Sequence, residues 1–333
     1  MQAGAASRRR LTVACLQLNT HHGTDVLASM TRADALLSAF MASKKGRSLA
    51  AATTPAIVVL PELAFTGYAF PSPAAIAPYL EPTADGRTTR WAQDTARRIG
   101  CHVVVGYPER ANEKVYNSAV IVSPAGMVLH NYRKHFLYEA DEKWGASPGP
   151  DGFLSFDLTL SKTPAAATDP LEFTVRVAVG ICMDLNPEKF EAPFRKYEFA
   201  NFCVSEKAEL ILAPMAWLSS SSGEEKKDES PQVGRRPEWS TLQYWATRLT
   251  PVSLQFSQQQ QQQHGEVNTS VENKEEKTKI AFVAANRCGV EDNKTVYAGS
   301  SCALTFDDSG KVRLVDALAR DEEGVISFDI ELD

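Results

Sequence analysis

The stretch Val177-Ala-Val-Gly-Ile-Cys182-Met-Asp184 decides the reading of this chain. An apolar, β-prone run ends in a thiol, and an acid follows two residues later. α/β proteins build sites at the C-terminal ends of strands, because side chains there converge on a crevice. The same arrangement occurs twice upstream. Ile57-Val-Val-Leu-Pro-Glu62 places a carboxylate just past a strand that Pro61 stops, and Val128-Leu-His-Asn-Tyr-Arg-Lys134 places an ammonium.

Working outward, Leu11–Leu18 reads as a buried strand. Thr24 can cap a helix in which Val26, Leu27, Met30, Ala33, Leu37 and Phe40 follow helical spacing. Lys44–Thr54 reads as a polar connection, and prolines 71, 73, 78 and 82 mark a loop-rich stretch. A helix around Thr88–Arg98 ends at Gly100. Strands follow at His102–Gly106, Tyr116–Val122 and Val128–Tyr132, then at Phe173–Ile181. The spacing predicts a helix over Phe190–Glu206, a strand at Leu210–Ala213 and a helix at Glu238–Leu249. The last strands are Ile280–Ala285, Ser300–Phe306, Val312–Val315 and Val325–Ile330. Helices alternate with strands in one half and hairpin turns occur in the other, which predicts a mixed α/β sandwich. Two stretches interrupt the pattern. Residues 219–231 are rich in serine and charge, and residues 257–279 hold six consecutive glutamines and a charged run. Both read as polar surface insertions. Residues 1–10 read as a flexible tail, and 11–333 as one domain.

Composition narrows the function. Of 333 residues, 44% are hydrophobic and 23% charged, which excludes a disordered chain or a disulfide scaffold. A net charge of −6 leaves no basic surplus for nucleic acid. The six cysteines form no CxxC pair, so structural zinc has no motif. The histidines at 21, 22 and 135 have no matching ligand spacing. No apolar run approaches the roughly 20 residues of a membrane span. The tail lacks the apolar core of a secretory signal. These features point to a soluble protein with free thiols in the cytoplasm or nucleus. No Gly-rich phosphate loop occurs.

A carboxylate, a lysine and a cysteine brought together suit attack on an amide or nitrile carbon. The carboxylate takes the thiol proton and later delivers it to the leaving amine. The lysine favours the thiolate and stabilises the oxyanion, and the thiol forms an acyl-enzyme. Taken singly, each has a plainer alternative: Glu62 as a strand-end pair, Lys134 as a surface charge, Cys182 as a small buried hydrophobe.

Their order is more informative. Leu60-Pro-Glu62 with Gly67-Tyr68, then Tyr132-Arg-Lys134, then Gly180-Ile-Cys182-Met-Asp184, then Ala285-Asn286-Arg-Cys-Gly289 resemble the signatures of the carbon–nitrogen hydrolase (nitrilase) superfamily. The resemblance runs from about Leu11 to Leu332. It implies an α-β-β-α sandwich, a catalytic triad of Glu62, Lys134 and Cys182, and no metal or organic cofactor. Many members carry a second acid after the lysine. Glu142 is the choice here, with Glu139 its competitor, to orient Lys134 or the substrate. The family often carries an arginine four residues after the cysteine, where this chain has Asn186.

The string Ile181-Cys-Met-Asp-Leu-Asn-Pro-Glu-Lys-Phe-Glu-Ala-Pro-Phe194, with Tyr197-Glu-Phe-Ala200, resembles a eukaryotic branch that converts N-terminal Asn and Gln of proteins to Asp and Glu for the N-degron pathway. The resemblance implies peptides and proteins with a free N-terminal Asn or Gln as partners. Lys134 and the Met183 N–H would hold the oxyanion. Asp184, Glu142 and Glu191 are candidates to read the substrate α-ammonium, with backbone capping as the alternative for Asp184. Another superfamily amidase, acting on small amides, nitriles or N-carbamoyl compounds, is the second reading. The sequence leaves monomer and homodimer both open.

Overall fold

β1 (Arg9–Gln17) lies between the end of the chain and the next strand in sequence, antiparallel to β15 (Gly324–Leu332) and parallel to β2 (Ile57–Val59). The computed structural model describes residues 9–21, 23, 25–45, 54–162, 171–220, 236–255 and 278–332. α1 (Val26–Lys45), α2 (Pro73–Ile76), β3 (Glu81–Pro82) and α3 (Arg87–Ile99) lead to a meander of β4 (His102–Ala111), β5 (Lys114–Val122) and β6 (Val128–Arg133). After α4 (Glu139–Lys143) come β7 (Leu154–Lys162), β8 (Leu171–Val179), α5 (Glu198–Ser205), β9 (Leu210–Pro214) and α6 (Trp239–Arg248). β10 (Thr278–Ala285), a small hairpin of β11 (Val290–Glu291) and β12 (Thr295–Val296), β13 (Cys302–Asp307) and β14 (Val312–Ala317) precede β15.

Two sheets result. One has the order β15-β1-β2-β4-β5-β6, with β3 beside β4; the other has the order β14-β13-β10-β9-β8-β7. Each has three parallel central strands, β1-β2-β4 and β8-β9-β10, flanked by antiparallel ones. Side-chain alternation explains why the first sheet is covered on both faces. Val13, Cys15, Ile57, Val59, Val104, Ala119 and Ile121 join the core shared with the second sheet. Their neighbours Ala14, Leu16, Val58, Leu60, Val103, Val105, Val120 and Val122 pack with α1 and α3 residues such as Leu37, Trp91 and Ala96. α5 and α6 cover the second sheet through Phe199, Cys203, Leu242 and Trp245. The arrangement is the α-β-β-α sandwich.

Several boundaries differ from the sequence reading. Arg9 and Arg10, expected in a tail over 1–10, belong to β1, paired with Leu332 and Glu331; residues 1–8 lie outside the described residues. Thr24 lies outside the described residues; the Asp25 carboxylate accepts the Leu27 N–H at 2.9 Å. The helix expected over Phe190–Glu206 begins only at Glu198. Pro193 lacks an N–H, and Lys189, Phe190 and Tyr197 have left-handed backbones (φ 54°, 56° and 46°), so the first half forms isolated 3-10 turns. Ser219, expected in the first insertion, is buried and bonded through its N–H to the Val296 carbonyl at 2.8 Å. Thr278 and Lys279, expected in the second insertion, open β10. The rest of these insertions, 221–231 and 257–277, lies outside the described residues. β7 went unread, although Phe156, Leu158 and Leu160 alternate with polar residues.

Candidate active site

The three strand ends meet. Glu62 follows β2 on a turn held from outside by a buried arginine: Arg287 Nη1 donates to the carbonyls of Glu62 (3.0 Å) and Leu63 (2.8 Å), and Nη2 to that of Thr20. Gly106 on β4 makes room, since a Cβ there would stand 2.7 Å from Glu62 Cα. Lys134 sits just past β6, its N–H bonded to the Asn117 carbonyl on β5 at 2.8 Å. Cys182 starts a 3-10 turn after β8 and holds a left-handed backbone, φ 43°. A non-glycine residue in that region costs on the order of 1–3 kcal/mol and persists only where its surroundings impose it. The Asp184 carboxylate braces the turn. One of its oxygens accepts from Ile181 N (2.7 Å) and the Tyr132 hydroxyl (2.7 Å), the other from His135 N (3.1 Å) and Phe136 N (2.8 Å). It therefore ties the Cys182 turn to the segment after Lys134. With both oxygens occupied by protein donors, Asp184 has the capping role and is corrected as a reader of substrate ammonium.

Behind the thiol lies a closed charge cluster. Lys134 Nζ is 2.6 Å from both Glu62 Oε1 and Asp141 Oδ2. The Asn117 amide donates to Glu62 Oε1 (2.6 Å) and Asp141 Oδ1 (2.9 Å). All four side chains are fully buried. Such groups are costly to bury unless paired this closely. Burial works against the Lys134 charge, but the Asp141 and Glu62 carboxylates outweigh it and hold the lysine well above its usual pKa. Burial pushes the Glu62 carboxyl up and Asp141 adds to this, while Lys134 and the Asn117 amide pull it back. Glu62 Oε2 accepts no hydrogen bond among the described residues. The Cys182 thiol is raised by burial and by the Glu62 charge, against Lys134 and a hydrogen bond from the Ala216 N–H. At rest it is a thiol, and needs a base beside it to ionise.

Asp141, not Glu142, contacts Lys134. The two are neighbours on α4, about 100° apart around the helix, and only Asp141 turns inward. Buried Trp144, three residues on, marks that inward face and was the signal for it. Asn117 also went unread: a polar side chain within an apolar strand carries no local mark. Asn286 stands one layer back, where its Oδ1 accepts the Trp217 N–H at 2.7 Å and its Nδ2 donates to the Gly299 carbonyl at 2.8 Å.

Cys182 opens into a cavity of about 150 Å³ with Tyr138, Met183, Asn186, Phe190, Trp217 and Leu218 among its walls. A second cavity shares Tyr138, Met183 and Phe190 and is lined further by Glu139, Glu142, Lys189 and Glu191. The three glutamates are exposed. The site thus has a smaller cavity at the thiol, the inner chamber, and an adjoining, larger and mainly acidic one, the outer chamber. Among the described residues, no three His, Cys, Asp or Glu side chains form a group that could hold a metal ion.

A carboxylate–lysine–thiol cluster at strand ends of an α-β-β-α sandwich defines a class, and residues 12–232 match the carbon–nitrogen hydrolase family; the chain belongs to that family. The protein N-terminal amidase of Schizosaccharomyces pombe is 30% identical over 292 residues, 83% of this chain and 87% of that protein. The protein N-terminal amidase of Saccharomyces cerevisiae is 41% identical over 177 residues, 52% of this chain, and the match spans 39% of that protein's length. Crystal structures of N-terminal amidase with an Asn-Glu-Ala peptide (TM-score 0.80, 98% of each chain) and with a Gln-Val peptide (TM-score 0.78, 97% of this chain and 99% of that one) are each 26% identical.

Proposed function

We propose that this protein deamidates the side chain of an N-terminal Asn or Gln on peptides and proteins, releasing ammonia and leaving Asp or Glu. The observation that carries the reading is the buried Cys182 thiol in an inner chamber, with the Glu62–Lys134 pair behind it and an acidic chamber in front. The likeness to N-terminal amidases that hold Asn- and Gln-initiated peptides supports it.

In this reading each group has a role. Glu62 takes the thiol proton through Oε2 as the sulfur attacks the carboxamide carbon. Lys134 and the Met183 N–H stabilise the oxyanion. Glu62 returns the proton to the nitrogen, the C–N bond breaks and ammonia leaves a thioester. Water then attacks the thioester, giving one proton to Glu62, and the acid is released as the thiol re-forms. Asp141 and Asn117 position the pair. The glutamates at the outer chamber favour a substrate that brings an ammonium. Neither step requires a metal or an organic cofactor. All six cysteines are free and buried, which suits a reducing cytoplasm.

Mass spectrometry of Asn- and Gln-initiated peptides tests the reading. The expected result is a gain of about 1 Da at the first residue, the nominal change from amide to acid, with none in N-acetylated twins. Equal conversion of acetylated and free peptides contradicts it.

A further inference from the structure

Asn186 is 4% exposed and forms part of the inner chamber wall, four residues after the nucleophile. Its Oδ1 accepts the Tyr244 hydroxyl at 2.8 Å. Burial raises the pKa of Tyr244, so that hydroxyl remains a donor. That bond occupies the acceptor end of the amide. The donor end, Nδ2, points to the Met183 sulfur at 3.5 Å. A thioether is a weak acceptor, and an amide nitrogen carries two hydrogens. A well-buried donor in the wall of the cavity that Cys182 also lines therefore retains capacity for a better partner.

An N-terminal Asn or Gln brings three polar groups into this space. Its carboxamide belongs to the thiol and Lys134. Its ammonium only donates, so it cannot satisfy Asn186. The acceptor left over is the carbonyl oxygen of the first peptide bond. We propose that Asn186 Nδ2 donates to that carbonyl and thereby selects peptides over free amino acids. A free amino acid presents a carboxylate at the same place. The neutral amide offers no charge to balance it, and the adjoining chamber sets Glu139, Glu142 and Glu191 against Lys189. Asn186 is thus a specificity-determining residue; the inference rests on the proposed deamidation of N-terminal residues.

The test pairs two substrates with two variants. One substrate is an Asn-Gly-initiated peptide. The other is 3-aminobutanamide, which keeps the carboxamide and ammonium but has a methyl group in place of the carbonyl. Asn186→Leu is expected to lower kcat/KM on the peptide about tenfold, mainly through KM, and to leave 3-aminobutanamide within about twofold. Asn186→Asp, which keeps the shape but loses the donor, is expected to cost the peptide about 100-fold. Equal losses on both substrates mean a structural role and overturn the inference, as does an unchanged rate on the peptide. If the wild-type protein releases ammonia from neither substrate, the functional reading itself falls and takes the inference with it. A wild type active on the peptide with unaffected variants overturns only the inference.

Discussion

Asp141 and Glu142 are adjacent acids on one short helix, yet they belong to different regions of the site. Asp141 is fully buried and engaged by Lys134, Asn117 and the Tyr138 N–H. Glu142 is exposed beside Glu139 and Glu191 at the outer chamber. The difference teaches that charge type says little about role; desolvation and fixed partners decide it. In the buried cluster each charge depends on its neighbours, because an unpaired one costs several kcal/mol. At the rim water screens each carboxylate, so its effect is small and sensitive to salt.

Three substitutions can break or sharpen that contrast. The largest effect is expected from Lys134→Met, which leaves Glu62 and Asp141 buried without their shared cation. It should cost about 3–5 kcal/mol of stability, read by denaturant unfolding, and remove activity to the detection limit. Next comes the neighbouring pair. Asp141→Asn should lower kcat about 100-fold, whereas Glu142→Gln should change kcat/KM by no more than about threefold, an effect that fades in high salt. Steady-state kinetics at two ionic strengths separates them. Equal effects would dissolve the distinction between cluster and rim.

The subtlest effect is in the pH profile. In the proposed mechanism Glu62 is a base only when ionised, so activity should fall as the pH drops through its raised pKa, and the acidic limb of kcat/KM should report it. Asp141 raises that pKa and the Asn117 amide lowers it. Asp141→Asn should therefore move the acidic limb to lower pH, and Asn117→Leu to higher pH. Shifts in the same direction would contradict the cluster's electrostatics.

The sequence revealed what each apolar run delivers. Glu62, Lys134 and Cys182 each follow a strand legible from its own composition, and the structure gathers all three. The centre of the first sheet was legible for the same reason: its inner residues pack on the other sheet and their neighbours on helices, so its parallel strands β1, β2 and β4 hold continuous apolar runs. The supporting residues were less legible. α4 is five residues long, too short for periodicity within it to tell Asp141 from Glu142, and the one mark of its inward face, Trp144, lies just past its end. Asn117 is defined by partners at 62 and 141, contacts that exist only after the sheet forms. The helix expected from Phe190 failed because left-handed residues and Pro193 break it, and that irregular segment places Phe190 between the two chambers.

The central claim is that Cys182 carries the substrate as a thioester. Intact-protein mass spectrometry during turnover of an Asn-initiated peptide, quenched in acid, tests it most directly. The predicted result is one adduct equal to the peptide mass less about 17 Da, the ammonia lost on acylation, mapped to Cys182 and absent in Cys182→Ala. Ammonia release that persists in Cys182→Ala, or an adduct on any of the other five thiols, would contradict the account.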